Sequence, residues 1–305
     1  MILLAVSGGV DSTYMAYKAI EQSQSFAVAH CNFGLRGEES DGDEAFVRSW
    51  CEKQGKVLHV RRFDTAGYAS ERGISIEMAA RELRYGWFAS LCAEYGYDEL
   101  HVAHNANDNA ETLILNLLRG TGSRGLRGMS ASREFTEGVK IIRPLLGTTR
   151  AEIVDWMDGH GCTWREDSTN AESEYKRNRI RNDIFPLFEK INPSFLQTLG
   201  RDMEHFAQVD DIAEDYYRDA LREILTSVPD AVFPSLSIPA LLKLKHWKYV
   251  LWRVLEPYGL SKETFEKLLQ LLQSGRTISG KVFQSPTHLV SIRKKTLTVS
   301  EREAL

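Results

Sequence analysis

Three sets of side chains have the types and spacing that chemistry requires. The first is Ser7-Gly8-Gly9-Val10-Asp11-Ser12, placed directly after the apolar run at residues 2–6. A buried strand that turns through glycines into a helix start aims backbone N–H groups and the positive end of a helix dipole at an anion. Asp11 adds a carboxylate, which beside phosphates suits a divalent cation. Ser-Gly-Gly alone is also an ordinary tight turn between a strand and a helix. The second set is Asp108 and Glu111, which share a face in the first turn of a predicted helix. Acids at a helix start also serve simply as complements to its dipole. The third is Tyr175-Lys176-Arg177-Asn178-Arg179-Ile180-Arg181-Asn182, with four cations in six residues. Such a run is commonly a solvated helix face. Here it abuts Ile184-Phe185-Pro186-Leu187, so the arginines are anchored and their guanidinium forks suit phosphate oxygens.

Two further cationic segments are less decisive. Arg81 and Arg84 are i, i+3 neighbours beside an apolar helix face. They either snorkel over the core or touch an anion, and the segment alone does not choose. Residues 119–128 hold three arginines and four glycines with little apolar content, predicting a flexible, positively charged loop.

The elements that must hold these residues alternate. Strands are predicted at 2–6, 26–30, 57–60, 100–104 and 141–146. Helices are predicted after Gly9, at about 43–54, at 75–92, from about 105 to 119 and at 149–160. Residues 61–74 read as a variable excursion. The acids Glu38, Glu39, Asp41, Asp43 and Glu44 read as solvating and capping the helix near 43, in preference to binding a cation. The loop 31–37 follows a strand's carboxyl end, where open α/β sheets bind ligands. This pattern predicts an α/β fold, a doubly wound and mostly parallel sheet, over residues 1–190. Residues 191–305 read as a long connecting helix (193–225), a proline-marked break (228–239), helices at 240–255 and 262–273, and terminal strands, making a small α+β domain. Lys243, Lys245, Lys248 and Arg293-Lys294-Lys295 give it basic patches, and Trp247 and Trp252 read as core. Gly275 to Lys281 nearly matches the P-loop of kinases, but Val282 stands where Ser or Thr is required.

Bulk properties exclude several classes. The 305 residues suffice for two domains, with 43% hydrophobic and 26% charged side chains. No apolar run approaches the ~20 residues of a membrane span. Met1 leads straight into the first strand, so no leader is expected and the predicted location is cytoplasmic. The four cysteines form no C-x-x-C pair, which argues against a zinc site, an iron–sulfur site or a disulfide scaffold. A net charge of -4 means that any nucleic-acid binding must rest on local patches.

Taken in order, these segments resemble a known family. Ser7 to Ser12 resembles the PP-loop of the ATP-pyrophosphatase superfamily. With it come H-C-N-F-G-L-R-G at 30–37, E-M-A-A-R-E-L-R-Y at 77–85, H-N-A-N-D-N-A-E-T at 104–112, R-G-T-G at 119–122, R-P-L-L at 143–146, W-R-E-D-S-T-N at 164–170 and Y-K-R-N-R-I-R-N at 175–182. The set is similar to that of the tRNA(Ile)-lysidine synthetase family, with one departure at Phe33, where many members carry histidine. The resemblance implies ATP and Mg²⁺, free L-lysine and an isoleucine tRNA with a CAU anticodon as partners, and a homodimer. Lysine would be joined to C2 of the wobble cytidine through an adenylated cytidine, releasing diphosphate and AMP. It implies that Ser7, Gly8, Gly9, Val10, Asp11, Ser12 and His30 bind the nucleotide, with Asp11 also holding the metal. It further implies that Asp108, Glu111, Arg84, Arg177 and Arg181 are catalytic. Rival readings are a tRNA-thiolating enzyme of the same superfamily and a non-catalytic tRNA-binding protein. Longer members carry a further domain.

Overall fold

The computed structural model describes residues 1–166, 175–226, 232–274 and 279–302. Asp167 to Asn170 of the W-R-E-D-S-T-N motif, part of the proline-marked break and residues 275–278 of the P-loop near miss lie outside them. The chain forms two compact units, Met1–Ala207 and Gln208–Leu305.

The first unit alternates as its hydrophobic pattern demands. It runs β1 (Ile2–Ala5), α1 (Val10–Glu21), β2 (Phe26–Asn32), α2 (Glu38–Lys53), β3 (Leu58–Arg62), α3 (Thr65–Arg72), α4 (Ile76–Tyr95) and β4 (Glu99–His101). There follow α5 (Ala106–Arg119), α6 (Ser123–Leu126), β5 (Ser132–Thr136), β6 (Val139–Ile142) and α7 (Arg150–Gly159). Then come α8 (Tyr175–Arg179), a π-helical turn (Ile180–Ile184), α9 (Phe185–Ile191) and α10 (Phe195–Ile224), whose far end belongs to the second unit. The sheet order is β3-β2-β1-β4-β6-β5, parallel throughout except at β5. Leu3, Leu4, Val28, Leu100 and Ile141 are almost wholly buried, as sheet strands covered by helices on both faces must be. From β1 the chain winds outward through β2 and β3, then returns to place β4 on β1's other side. The carboxyl ends of β1 and β4 therefore flank a topological switch point, where such sheets bind ligands.

Several boundaries differ from the sequence reading. The excursion at 61–74 contains α3, capped by the Asp64 side chain accepting from Gly67 N–H. Helix α2 begins at Glu38 rather than near 43, because the chain turns at Gly37 (φ 52°), a conformation that glycine adopts without strain. Asp43 and Glu44 thereby fall inside the helix and are buried. The Arg/Gly run contains the short helix α6 and is tied to α5. Asn116 Nδ2 donates to the Gly125 carbonyl (2.9 Å), and Met129 N–H donates to Asn109 Oδ1 (2.7 Å). The edge strand β5 has no strong alternation to announce it.

The second unit adds β7 (Ser235–Ser237), α11 (Ile238–Lys243), α12 (Trp247–Leu255), α13 (Lys262–Gln273), β8 (Val282–Gln284), β9 (His288–Arg293) and β10 (Thr296–Glu301). Its antiparallel sheet has the order β7-β10-β9-β8. The single helix expected at 240–255 is broken at Leu244, whose extended backbone (ψ 137°) ends α11. Leu236, Leu241, Leu251, Leu268, Val290 and Leu297 share one core, with Trp247 packed against it.

Candidate active site

Ser7 to Ser12 forms a self-braced loop at the end of β1. Gly8 has φ 100°, a backbone region that disfavours side chains, and its carbonyl accepts from Thr13 Oγ1 (3.1 Å) and Arg165 N–H (2.9 Å). Ser12 Oγ lies 3.1 Å from Ser7 N and 3.0 Å from Ser7 Oγ, and donates to the Gly9 carbonyl (3.0 Å). Gly9 caps α1 with no side-chain hydrogen bond, so the first turn keeps N–H groups for an anion. Val10 packs its side chain into the core, leaving only its backbone to the loop. His30 is also buried: its Nδ1–H donates to the Val6 carbonyl (2.9 Å), while Nε2 has no partner. Burial lowers its pKa. Its observed contact is therefore with the chain just before the loop.

The loop is strapped from outside by residues the sequence reading assigned to helix capping or left unassigned. Asp43, 8% exposed, accepts from Arg36 Nη2 (2.7 Å) and from Arg165 Nε (3.1 Å), and Arg165 pairs its backbone with Gly8 and Gly9. Glu44 accepts from Asn32, Arg48 and Arg62. Burial alone would raise its pKa, but these donors outweigh it and hold the carboxyl down at about 2.

Across the switch point, α5 begins with a capping box. Asn105 Oδ1 accepts from Asp108 N–H (3.0 Å), and Asp108 Oδ2 accepts from Asn105 N–H (3.1 Å). The capping task thus uses one carboxylate oxygen of Asp108, and Oδ1 stands 3.9 Å from Arg181 Nη2. Glu111, one turn on, is wholly buried. Its Oε1 accepts from Arg181 Nε and Nη2, both at 2.8 Å, and its Oε2 has no partner. Burial raises the Glu111 pKa, and Arg181 offsets only part of the shift. Arg181 reaches this point because Ile180, in the π-helical turn, is buried in a cluster with Ala110, Phe185 and Phe195. Burying such an aliphatic side chain contributes about 1.5–3 kcal/mol, enough to hold the register of the turn.

The two halves are joined by hydrogen bonds. Asn105 Nδ2 donates to Asp11 Oδ1 (3.0 Å), and Arg150 Nη1 donates to Asp11 Oδ2 (2.7 Å). Burial raises the Asp11 pKa, with Arg150 and Asn105 pulling it down and Asp108 adding a smaller upward push. Asn105 therefore holds the carboxylates of both Asp11 and Asp108, and Arg181 faces those of Asp108 and Glu111. Arg84 stacks on Phe33 (5.1 Å to the ring centroid), which itself stacks on Phe63. His104, just before α5, has its pKa pushed down to about 4 by burial and then by Arg143, Arg177, Arg84 and Arg81. These four arginines lie close enough to His104 to disfavour its charged form, and Arg143 is itself buried, donating to the Ser130 carbonyl (2.7 Å). Asn105, Arg150, Asp43 and Arg165 are the members sequence reasoning missed. Asn105 and Arg165 stood inside quoted motifs and Asp43 inside the acidic run, while Arg150 showed only as a cation in a helix's first turn.

Residues 1–188 match the family described as "PP-loop domain", and residues 233–302 match the "TilS substrate binding domain". The chain is 38% identical over 287 residues to the tRNA(Ile)-lysidine synthase of Parabacteroides distasonis, which covers 94% of this chain and 63% of that protein. Against the protein of the same name from Porphyromonas gingivalis, identity is 39%, over 98% of this chain and 63% of that one. The Chlorobaculum tepidum protein of that name is 38% identical over 91% of this chain and 85% of its own length. The chain thus spans 63% of the length of the first two relatives. Among solved structures, the U34-tRNA thiolase NcsA from Methanococcus maripaludis shares the fold, with a TM-score of 0.56 and 22% identity over 68% of this chain and 71% of that one.

Proposed function

Because this chain belongs to the tRNA(Ile)-lysidine synthase family, we propose that it joins free L-lysine to C2 of the wobble cytidine in an isoleucine tRNA bearing a CAU anticodon, using ATP. The observation that carries this reading is the hydrogen bond between Asn105 and Asp11, which sets the phosphate loop against the capping-box carboxylate of Asp108. The two steps of the reaction need an anion cradle and an acid pair within reach of one base, and this bond joins the elements that carry them.

In this reading the backbone N–H groups of Gly8, Gly9 and Val10 and the hydroxyls of Ser7 and Ser12 hold the β and γ phosphates. The cytosine C2 oxygen attacks the α-phosphate, giving an adenylated cytidine and diphosphate. Arg84, Arg177 and Arg181 stabilise the charge that develops on the phosphates. The anticodon loop presents its base largely unstacked, so extruding it is inexpensive. Lysine then attacks C2 through its ε-amine and expels AMP. That amine is protonated at neutral pH, with a reference pKa of about 10.4. Asp108, with Oδ1 spared from capping, orients the ammonium and accepts its proton. Glu111, wholly buried, holds the Arg181 guanidinium in place and keeps Oε2 as a second acceptor behind it.

Mg²⁺ fits the donor chemistry: it takes one or two carboxylates together with substrate phosphates, and Asp11, with Asp108 behind it, supplies oxygens of that kind. When bound, it neutralises charge on the leaving diphosphate. Thiolation is disfavoured because the four cysteines form no C-x-x-C pair, and burial pushes three of them up, Cys31 to about 12 and Cys51 and Cys92 to about 11. The test is labelled-lysine incorporation into isoleucine and methionine CAU tRNAs side by side, with AMP release followed in parallel. Lysine transfer to the isoleucine tRNA alone is expected. Sulfur incorporation, or no lysine- and tRNA-dependent AMP, would overturn the reading.

A further inference from the structure

Both carboxylate oxygens of Asp11 are engaged, Oδ1 by Asn105 (3.0 Å) and Oδ2 by Arg150 (2.7 Å). Asp11 and Arg150 are 139 positions apart, so only the tertiary fold brings them together. Arg150 is the first residue of α7, directly behind the Thr149 cap. A cation there faces the positive end of the helix dipole, where acids are favoured, and Glu152 already meets that preference through the capping box. The side chain thus sits against its local electrostatics, and such departures mark functional positions. Its backbone is fixed separately, because Arg150 N–H donates to Asn107 Oδ1 (3.0 Å). The guanidinium can therefore leave Asp11 without moving the helix. The pair is half-exposed beside the phosphate loop, through Arg150 (side chain 51% exposed) more than Asp11 (22%), and a guanidinium this exposed is weakly held.

A divalent cation needs a carboxylate lone pair, and the guanidinium occupies the one at Oδ2. A triphosphate offers that guanidinium a partner of higher charge and matching fork geometry. We infer that Arg150 exchanges partners when nucleotide and cation arrive, releasing Asp11 Oδ2 to the cation and taking a triphosphate oxygen in its place. Arg150 is then a nucleotide-binding residue, and its pair with Asp11 is the place-holder of the nucleotide-free protein. This rests on the cation reading of Asp11 given above.

The exchange predicts effects of opposite sign in one variant. Arg150→Gln keeps the backbone bond to Asn107 and the Thr149–Glu152 box, and removes only the guanidinium. In the full chain without nucleotide, Mn²⁺ (the paramagnetic stand-in for Mg²⁺) should bind about three- to fivefold more tightly, the scale of one half-exposed ion pair. ATP should bind on the order of tenfold more weakly, the scale of one charge-assisted hydrogen bond to phosphate. Mn²⁺ is followed by the loss of its free-ion paramagnetic resonance signal, ATP by calorimetry, and folding by thermal melting. Arg150→Lys should fall between wild type and Arg150→Gln in both titrations. A purely structural pair predicts that both affinities fall together, and that result, or unchanged binding of either ligand, overturns the exchange. Asp11→Asn separates the two levels. If it binds Mn²⁺ as wild type does, the cation reading of Asp11 fails and the exchange with it. If it loses Mn²⁺ while Arg150→Gln matches wild type, the exchange alone fails.

Discussion

Asp108 shows how one side chain serves two masters. Its Oδ2 completes the capping box of α5, the bland role that acids at a helix start commonly fill, while Oδ1 is left toward Arg181. Asp108→Asn keeps an acceptor for the cap and removes the charge. It is expected to lower lysine transfer by at least a hundredfold, with tRNA affinity nearly unchanged and little loss of stability. A parallel loss of tRNA binding, measured by filter retention, would assign Asp108 to structure instead. Glu111 is tested through pH. Its folded-state pKa is raised, chiefly by burial, so its charge opposes folding. The associated stability is full below the ordinary carboxyl value, near 4.5, and is lost as pH rises through the raised value. Glu111→Gln should therefore melt at or above the wild-type temperature at pH 7, with the difference closing toward pH 4, while lysine transfer is lost. A variant that melts lower at pH 7 by more than at pH 4 would contradict this assignment.

Helix α2 carries the acidic run that sequence patterning read as solvated capping residues. Starting at Glu38 after the turn at Gly37, it turns Asp43 and Glu44 inward, where Asp43 straps Arg36 and Arg165 to the phosphate loop and Glu44 gathers Asn32, Arg48 and Arg62. The lowered Glu44 pKa, near 2, contributes stability that is present above the ordinary carboxyl value and lost as pH falls toward 2. With its arginine partners largely exposed, that contribution is about 2 kcal/mol rather than the full shift. Glu44→Gln should lower the melting temperature at pH 7 and lower it progressively less as the medium is acidified below pH 4. Equal destabilisation at both ends of that range would exclude a charge-based role. The π-helical turn at Ile180–Ile184 is the other element that matters. Ile180 anchors it in the core beside Ala110, and the widened turn delivers Arg181 to Glu111. Ile180→Ala should destabilise by about 2–5 kcal/mol and loosen Arg181, so activity should fall even at temperatures where the variant is fully folded.

For the chain as a whole, a net charge of -4 coexists with Arg81, Arg84 and Arg177 gathered near His104. On the proposed function, binding to tRNA should be local and electrostatic, with the logarithm of affinity falling linearly with that of salt concentration. Arg177→Ala should weaken binding and reduce the slope by about 0.7, the contribution of one phosphate contact to a single strand. An unchanged slope would place Arg177 away from the RNA. No described helix is long and apolar enough to cross a membrane.

The alternating strands and helices, the phosphate loop and the acid pair were legible from residue order, because periodicity, glycine placement and helix-start chemistry are local properties. The resemblance added the expected chemistry without showing its geometry. Pairings between distant segments were not legible: Arg150 with Asp11, Arg165 with Asp43 and the phosphate loop, Arg181 with Glu111. Nor was the break at Leu244, the edge strand β5 or the inward turn of Asp43, since each follows from what packs against it. An ion pair between residues 139 apart has no periodic trace. It forms only when the sheet order puts β4 beside β1 and so brings α5, α7 and the phosphate loop to one switch point.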